Sequence, residues 1–194
     1  MAETKYYIAG VNGPVVTVKG GRGLAMMDMV DVGPEGLIGE VVSVEGDETT
    51  VQVYEDTTGL IPGMPVVLQG APMSIELGPG LLNNIYDGIC RPLRGIAEAT
   101  GAFIGRGIHI PTLDREKTWD VSILVKPGDH LAPGQVYAEC QETPVIRHRS
   151  MMRPDQSGTV ISVVPDGSYR VEDTLVTVKT PEGATLELKL SQRW

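Results

Sequence analysis

Aromatic side chains are scarce in this 194-residue chain, with one Phe, two Trp and six Tyr. Core volume must come from elsewhere, and 23 valines supply it beside 24 Gly and 14 Pro. That mixture describes many short β-branched strands joined by frequent tight turns. Cysteine is nearly missing as well. Cys90 and Cys140 stand far apart with no CxxC neighbour, which speaks for reduced structural thiols and against a disulfide framework or a Cys-based metal site. No apolar run approaches the roughly 18 residues that cross a bilayer. The opening Met1-Ala-Glu-Thr-Lys5 lacks the basic start and apolar core of a signal peptide. The chain therefore reads as cytosolic, with no direct membrane insertion. Positive charge is in deficit, 16 Lys and Arg against 25 Asp and Glu for a net charge of −9. Such a balance opposes counterion release on a polyphosphate, so nucleic acid is not expected as a partner.

What is present falls into three parts. Residues 1–75 carry turn signals at short intervals: Asn12-Gly13-Pro14, Gly20 through Gly23, Gly33-Pro34-Glu35-Gly36, Gly46-Asp47 and Pro62-Gly63. This spacing predicts a small N-terminal β-barrel, whose closure removes the edges a valine-rich sheet would expose. Residues 76–116 switch to helix-spaced apolar positions and form a short connector. One helix is expected from Pro79 to Gly88, with Leu81, Leu82, Ile85 and Tyr86 on a face. A second is expected after Pro92, with Leu93, Ile96, Ala97 and Thr100 at i, i+3, i+4 and i+7 and Gly101 as a left-handed cap. The charged stretch from Leu113 to Lys117 marks a boundary. Residues 117–190 then form a second β-barrel or sandwich, with turns at Lys126-Pro127-Gly128-Asp129, Ala132-Pro133-Gly134, Pro165-Asp166-Gly167 and Pro181-Glu182-Gly183. The fold class is mostly β. The last residues, Ser191-Gln-Arg-Trp194, carry no cap or tail and read as the cut edge of a longer protein.

Motifs for chemistry are largely missing. GxxxxGK followed by Ser or Thr, which cradles phosphate with Gly amides and a Lys, does not occur, and neither do GxGxxG and GxSxG. The three His residues have no HxH or HxxxH pairing. Weaker candidates remain. Arg147, His148, Arg149 and Arg153 form a basic cluster able to hold an acidic partner, with a solvated strand face as the plainer reading. Cys140 with Glu139 and His148 would make a thiol site, against a buried structural Cys. Met26, Met27, Met29, Met151 and Met152 mark either an adaptable binding face or gap-filling core. Segments Lys126-Pro-Gly-Asp129, Pro133-Gly-Gln135 and Ser157-Gly-Thr-Val160 resemble the GD-x-V-x-x-G-Q rhythm of lipoyl and biotinyl carrier domains. Their cofactor-bearing hairpin Lys has no counterpart, because no Lys occurs between Lys126 and Lys179. That resemblance favours a barrel-sandwich shape and disfavours carrier chemistry.

The connector carries the stronger resemblance. GPGLLNNIYDGICRPL, IAEATGAFIGRG and LDREKTWD are similar to the N-terminal third of the catalytic A (alpha) chain of V-type and archaeal-type rotary ATPases. YYIAGVNGPVVTV, GEVVSVEGDETTVQVYEDTTGL and PGMPVVLQGAPMSIELGPG resemble its N-terminal barrel. Tyr86 and Cys90 replace the Phe and Gln more usual there. Among related chains, the inserted β domain beginning near Trp119 singles out this catalytic one. The resemblance implies that residues 76–116 open the nucleotide-binding domain of the parent, and that this domain and the C-terminal one lie beyond Trp194. ATP and Mg would belong to the parent, and no catalytic, cofactor-binding or metal residue is assigned to this piece. Its expected roles are ring assembly with B subunits in an alternating A3B3 ring and contact with peripheral-stalk subunits through the inserted domain. The parent couples ATP hydrolysis or synthesis to H+ or Na+ transport on the cytoplasmic face of the membrane. The alternatives are a lipoyl- or biotinyl-like carrier and a free-standing β-barrel binding module.

Overall fold

A computed structural model describes residues 6–20, 23–101 and 104–194. Residues 1–5, part of the Gly20–Gly23 turn and the Ala102–Phe103 pair of the IAEATGAFIGRG motif lie outside that description. The chain divides into two compact units, Met1–Ser74 with Ile96–His109, and Ile75–Gly95 with Ile110–Trp194.

The first unit is a closed barrel. Its strands are β1 (Tyr6–Asn12), β2 (Val15–Lys19), β3 (Asp28–Val32), β4 (Leu37–Glu45), β5 (Glu48–Val53) and β6 (Pro65–Pro72). They run in the antiparallel order β1-β2-β5-β4-β3-β6, and β6 returns to β1 through Tyr6 opposite Val66. Alternation places Val16 and Val18, Val30 and Val32, Leu37 and Val41, and Val51 and Val53 inside, as the two-residue side-chain period requires. Eight of the twelve residues in this core are Val. Gly39 stands between Leu37 and Val41 on the inner face, where a Cβ would come within 2.7 Å of Val51 Cγ1 and 3.2 Å of the Gln52 carbonyl oxygen. The barrel is too narrow there for any side chain. Residues 104–109 close against the turns of the same unit. The Gly107 N–H donates to Glu55 Oε2 at 2.9 Å, Arg106 donates to the Thr58 carbonyl and pairs with Glu35, and His109 Nε2 lies 2.9 Å from the Gly36 carbonyl oxygen.

The second unit begins with β7 (Glu76–Leu77) and includes the start of α1 (Leu93–Thr100), whose later residues belong to the first. It continues through β8 (Thr118–Ile123), β9 (His130–Leu131), β10 (Val136–Gln141), β11 (Arg147–Met151), β12 (Gly158–Val163), β13 (Gly167–Arg170), β14 (Val176–Lys179), β15 (Thr185–Leu188) and β16 (Gln192–Arg193). Two four-stranded sheets, β11-β10-β8-β13 and β15-β14-β12-β9, enclose one core. Large and varied side chains fill it, including Trp119, Leu131, Tyr137, Met152, Leu175 and Leu190.

Three expectations change here. Residues 79–88 form turns rather than a helix. Gly80 and Asn83 hold positive φ angles of 106° and 65°, the Asn84 side-chain amide donates to the Gly80 carbonyl at 2.7 Å, and Asp87 accepts from the Ile89 and Arg91 N–H groups. Side chain to backbone bonds of this kind compete with the helical ladder. The second helix forms as expected. The Gly101 N–H donates to the Ala97 carbonyl at 2.8 Å with φ at 79°, the left-handed cap read from sequence. The boundary at residues 113–117 contains a core residue, since Leu113 is buried in the second unit. Finally, the uncapped Ser191–Trp194 stretch is paired. β16 lies antiparallel to β7, and Ile75 and Trp194 exchange backbone hydrogen bonds of 2.9 Å in both directions. The second unit thus starts and finishes at one point.

Candidate functional site

The basic cluster lies on β11, at one edge of its sheet. Arg147 pairs with Glu139 of β10 at 2.7 Å, and Arg149 reaches the other oxygen of the same carboxylate at 3.8 Å. Two guanidinium groups sharing one carboxylate leave a positive excess. Arg153 pairs with Asp155 at 3.1 Å, donates to the Arg193 carbonyl at 2.8 Å, and lies 5.9 Å from the Trp194 ring centre. His148 is set apart from its neighbours, turned inward with Nε2 3.2 Å from Ser150 Oγ, and burial holds its imidazole below the ordinary value.

The thiol candidate is brought together and disarmed. Cys140 stands directly opposite His148 in the β10–β11 register, yet burial pushes its thiol up to about 11 and Glu142 adds to that direction. A thiol kept protonated is a poor nucleophile. Glu139 faces the arginines instead. The methionines divide, with Met29 and Met152 buried and Met26, Met27 and Met151 exposed. Carrier-like turns prove to be architecture. Asp129 Oδ2 accepts from the Lys126 N–H at 2.9 Å and Gln135 Oε1 from the Ala132 N–H at 3.1 Å. The Asp and Gln of the GD and GQ pairs therefore close their own turns. At Gly158 a Cβ would run into the Lys179 backbone. Among the described residues no group of three His, Cys, Asp or Glu is placed to hold a metal, and no helix is long and apolar enough to cross a membrane.

Sequence reasoning missed the polar network beside the basic strand. Tyr137 is fully buried, its hydroxyl donates to the Lys189 carbonyl, and Gln192 Nε2 donates to that hydroxyl at 3.0 Å and to the Met151 carbonyl at 2.6 Å. Burial pushes the phenol up to about 12, opposed by the hydrogen bonds from Gln192 and Ser150. Next to this network lies a pocket of about 280 Å³ lined by Leu77, His148, Arg149, Met151, Leu190 and Trp194, with Ser150 and Gln192. The missed signal was local, a Tyr amid apolar neighbours on β10, which needs a polar partner once buried. Glu142 was missed too. Its Oε1 accepts from the Gly80 and Leu82 N–H groups at 2.8 and 3.2 Å, tying the LGPGLL loop to the β10–β11 hairpin.

Residues 8–70 match the model for the ATP synthase alpha/beta family β-barrel domain, and residues 110–194 match that for the ATP synthase alpha/beta subunit barrel-sandwich domain. The chain belongs to the ATP synthase alpha/beta family. The two matched segments correspond to the closed barrel and to the two-sheet unit. Over 192 residues, 99% of this chain and 32% of the relative, it is 50% identical to the V-type ATP synthase alpha chain of Halothermothrix orenii. It is 48% identical to V-type ATP synthase alpha chain 2 of Clostridium tetani over 96% of this chain and 31% of that one. To the catalytic-type (A) polypeptide of the A-type ATP synthase of Pyrococcus abyssi it is 46% identical over 96% of this chain and 18% of the relative. The chain thus spans about a third or less of the length of these curated relatives.

Proposed function

We propose that this chain is the N-terminal part of the catalytic alpha chain of a V-type or A-type ATP synthase, serving assembly rather than chemistry. Such relatives match 96–99% of the chain, and the observation that carries the reading is the barrel-sandwich unit added beside the barrel. That unit begins and ends on the Ile75–Trp194 backbone pair. An insertion has this form, because a domain returning to its own starting point can be added to a chain without moving what flanks it. The barrel would join B subunits in an alternating A3B3 ring. The inserted unit would meet the peripheral stalk, which keeps the ring from turning against the rotor. ATP and Mg would bind parts of the parent outside these residues. The parent complex would couple ATP hydrolysis or synthesis to H+ or Na+ transport from the cytoplasmic face of a membrane. A strongly acidic barrel, with eleven Asp and Glu against four Lys and Arg in the first unit, favours partners of basic surface and speeds their encounter.

Calorimetry of the 194-residue chain with MgATP tests the absence of a fuel site. No heat of binding is expected up to millimolar nucleotide, and micromolar affinity overturns the reading. Co-purification with the B polypeptide of a V/A-type complex tests assembly, with complex formation expected and its failure at high protein concentration counting against the role.

A further inference from the structure

The pocket and the basic strand meet at an unpaired sheet edge. Among the described residues β11 has a strand, β10, on one side only. The Glu142 N–H donates to the Ile146 carbonyl at the turn of this hairpin, and antiparallel pairing then bonds alternate residues inward, His148 with Cys140 and Ser150 with Ala138. Arg147 and Arg149 therefore turn their backbone N–H and C=O groups away from β10. Met151 follows the same parity, and its carbonyl is taken from that outer side by the Gln192 amide. The open edge runs from the hairpin turn to Gln192 and ends at the 280 Å³ pocket.

Its side chains have a matching order. The outer face of the sheet presents Arg147 and Arg149, 55% and 64% exposed, with Glu139 as their shared counter-charge. Below the edge, Leu77, Leu190, Met151 and Trp194 offer apolar surface. A strand added here would place alternate side chains against the arginines and against the pocket, because successive residues point to opposite faces. This basic island sits in a chain of net charge −9, so it selects a different partner from the acidic barrel. We propose that the open edge of β11 binds an extended segment of another protein, alternating acidic and apolar residues, by strand addition. Main-chain bonds to Arg147 and Arg149 would supply affinity, the arginine side chains would select the acidic residues, and the pocket would take the apolar anchor.

Amide NMR of the 194-residue chain, titrated with a blocked synthetic octapeptide of alternating aspartate and leucine, tests this. Saturable shifts are expected at the Arg147 and Arg149 amides and the Trp194 indole. The lysine–leucine counterpart should bind at least roughly tenfold more weakly, one decade being about 1.4 kcal/mol. An aspartate–leucine peptide N-methylated at alternate amides should lose binding, and Arg149→Glu should weaken the parent peptide by about tenfold, with Arg149→Gln intermediate. Equal binding by the lysine or N-methylated peptide, shifts confined to the barrel, or no saturation at millimolar peptide overturns the proposal. Concentration-dependent broadening of β11 without peptide would also overturn it, by making a second copy of this chain the occupant.

Discussion

The barrel and the sandwich solve the same problem, a β core almost without Phe, by different means. In the barrel, valines alternate along every strand, and among the described residues the interior holds no ionisable side chain beyond Tyr6 at its margin. In the sandwich, five of fifteen core residues are Val, and Tyr137 and Cys140 are buried as well. Closure explains the difference. A six-stranded barrel leaves a narrow interior that β-branched residues fill. Two facing sheets leave an interior about 10 Å thick, wide enough to need Trp, Tyr, Met and Leu. One core is uniform and insensitive to pH over most of its range, whereas the other is varied and titratable.

The largest expected break in that comparison is Tyr137→Ala. It removes a fully buried ring and leaves Gln192 without its hydroxyl partner, and should cost the sandwich about 4 kcal/mol. Denaturant unfolding followed by amide NMR should show the sandwich transition moving and the barrel transition staying. Equal movement of both would erase the distinction. Gly39→Ala should act on the barrel alone, by about 2.5 kcal/mol, since its Cβ would meet Val51 Cγ1 at 2.7 Å and the Gln52 backbone at 3.2 Å.

Alkaline pH should separate the units next. The buried Cys140 thiol has its pKa raised from 9.0 to about 11. An unfolded thiol gives up its proton first, so the associated stability is complete below pH 9 and is lost as pH rises to about 11, to a total of about 2 kcal/mol. Tyr137, pushed up to about 12, extends the loss above pH 10 by the same sign. A pH series of unfolding midpoints checks this, and Cys140→Ala should flatten the portion between pH 9 and 10. The smallest effect has the opposite sign. Thr49 is fully buried in the barrel with Oγ1 unpaired, so Thr49→Val should stabilise it by about 1 kcal/mol, read as a higher midpoint.

Legibility in the sequence followed interaction range. The turn signals located both β units, and the i, i+3, i+4, i+7 spacing of Leu93, Ile96, Ala97 and Thr100 located the one helix, because such patterns are carried by neighbours along the chain. Residues 79–88 were misread for the same reason. Their apolar spacing suits a helix, but Asn83, Asn84 and Asp87 bond their own backbone, and Glu142, sixty residues on, holds the Gly80 and Leu82 amides. Leu113 looked like part of a charged boundary because its core neighbours lie far along the chain. Of the candidate site, the arginines and Cys140 were visible as residue types. That Arg147 and Arg149 share one carboxylate, that His148 faces Cys140, and that Gln192 reaches Tyr137 across 55 positions were not.

The amino-acid order by itself determined the β class, the number of units and the absence of a phosphate loop from these residues, since each depends on composition or on spacing within a few residues. Tertiary structure decided which groups became partners. It buried Cys140 beyond reactivity, joined Ile75 to Trp194, and left the edge of β11 open beside an apolar pocket. Those outcomes rest on contacts between distant segments, and the energies that choose among such contacts arise only when folding brings the segments together.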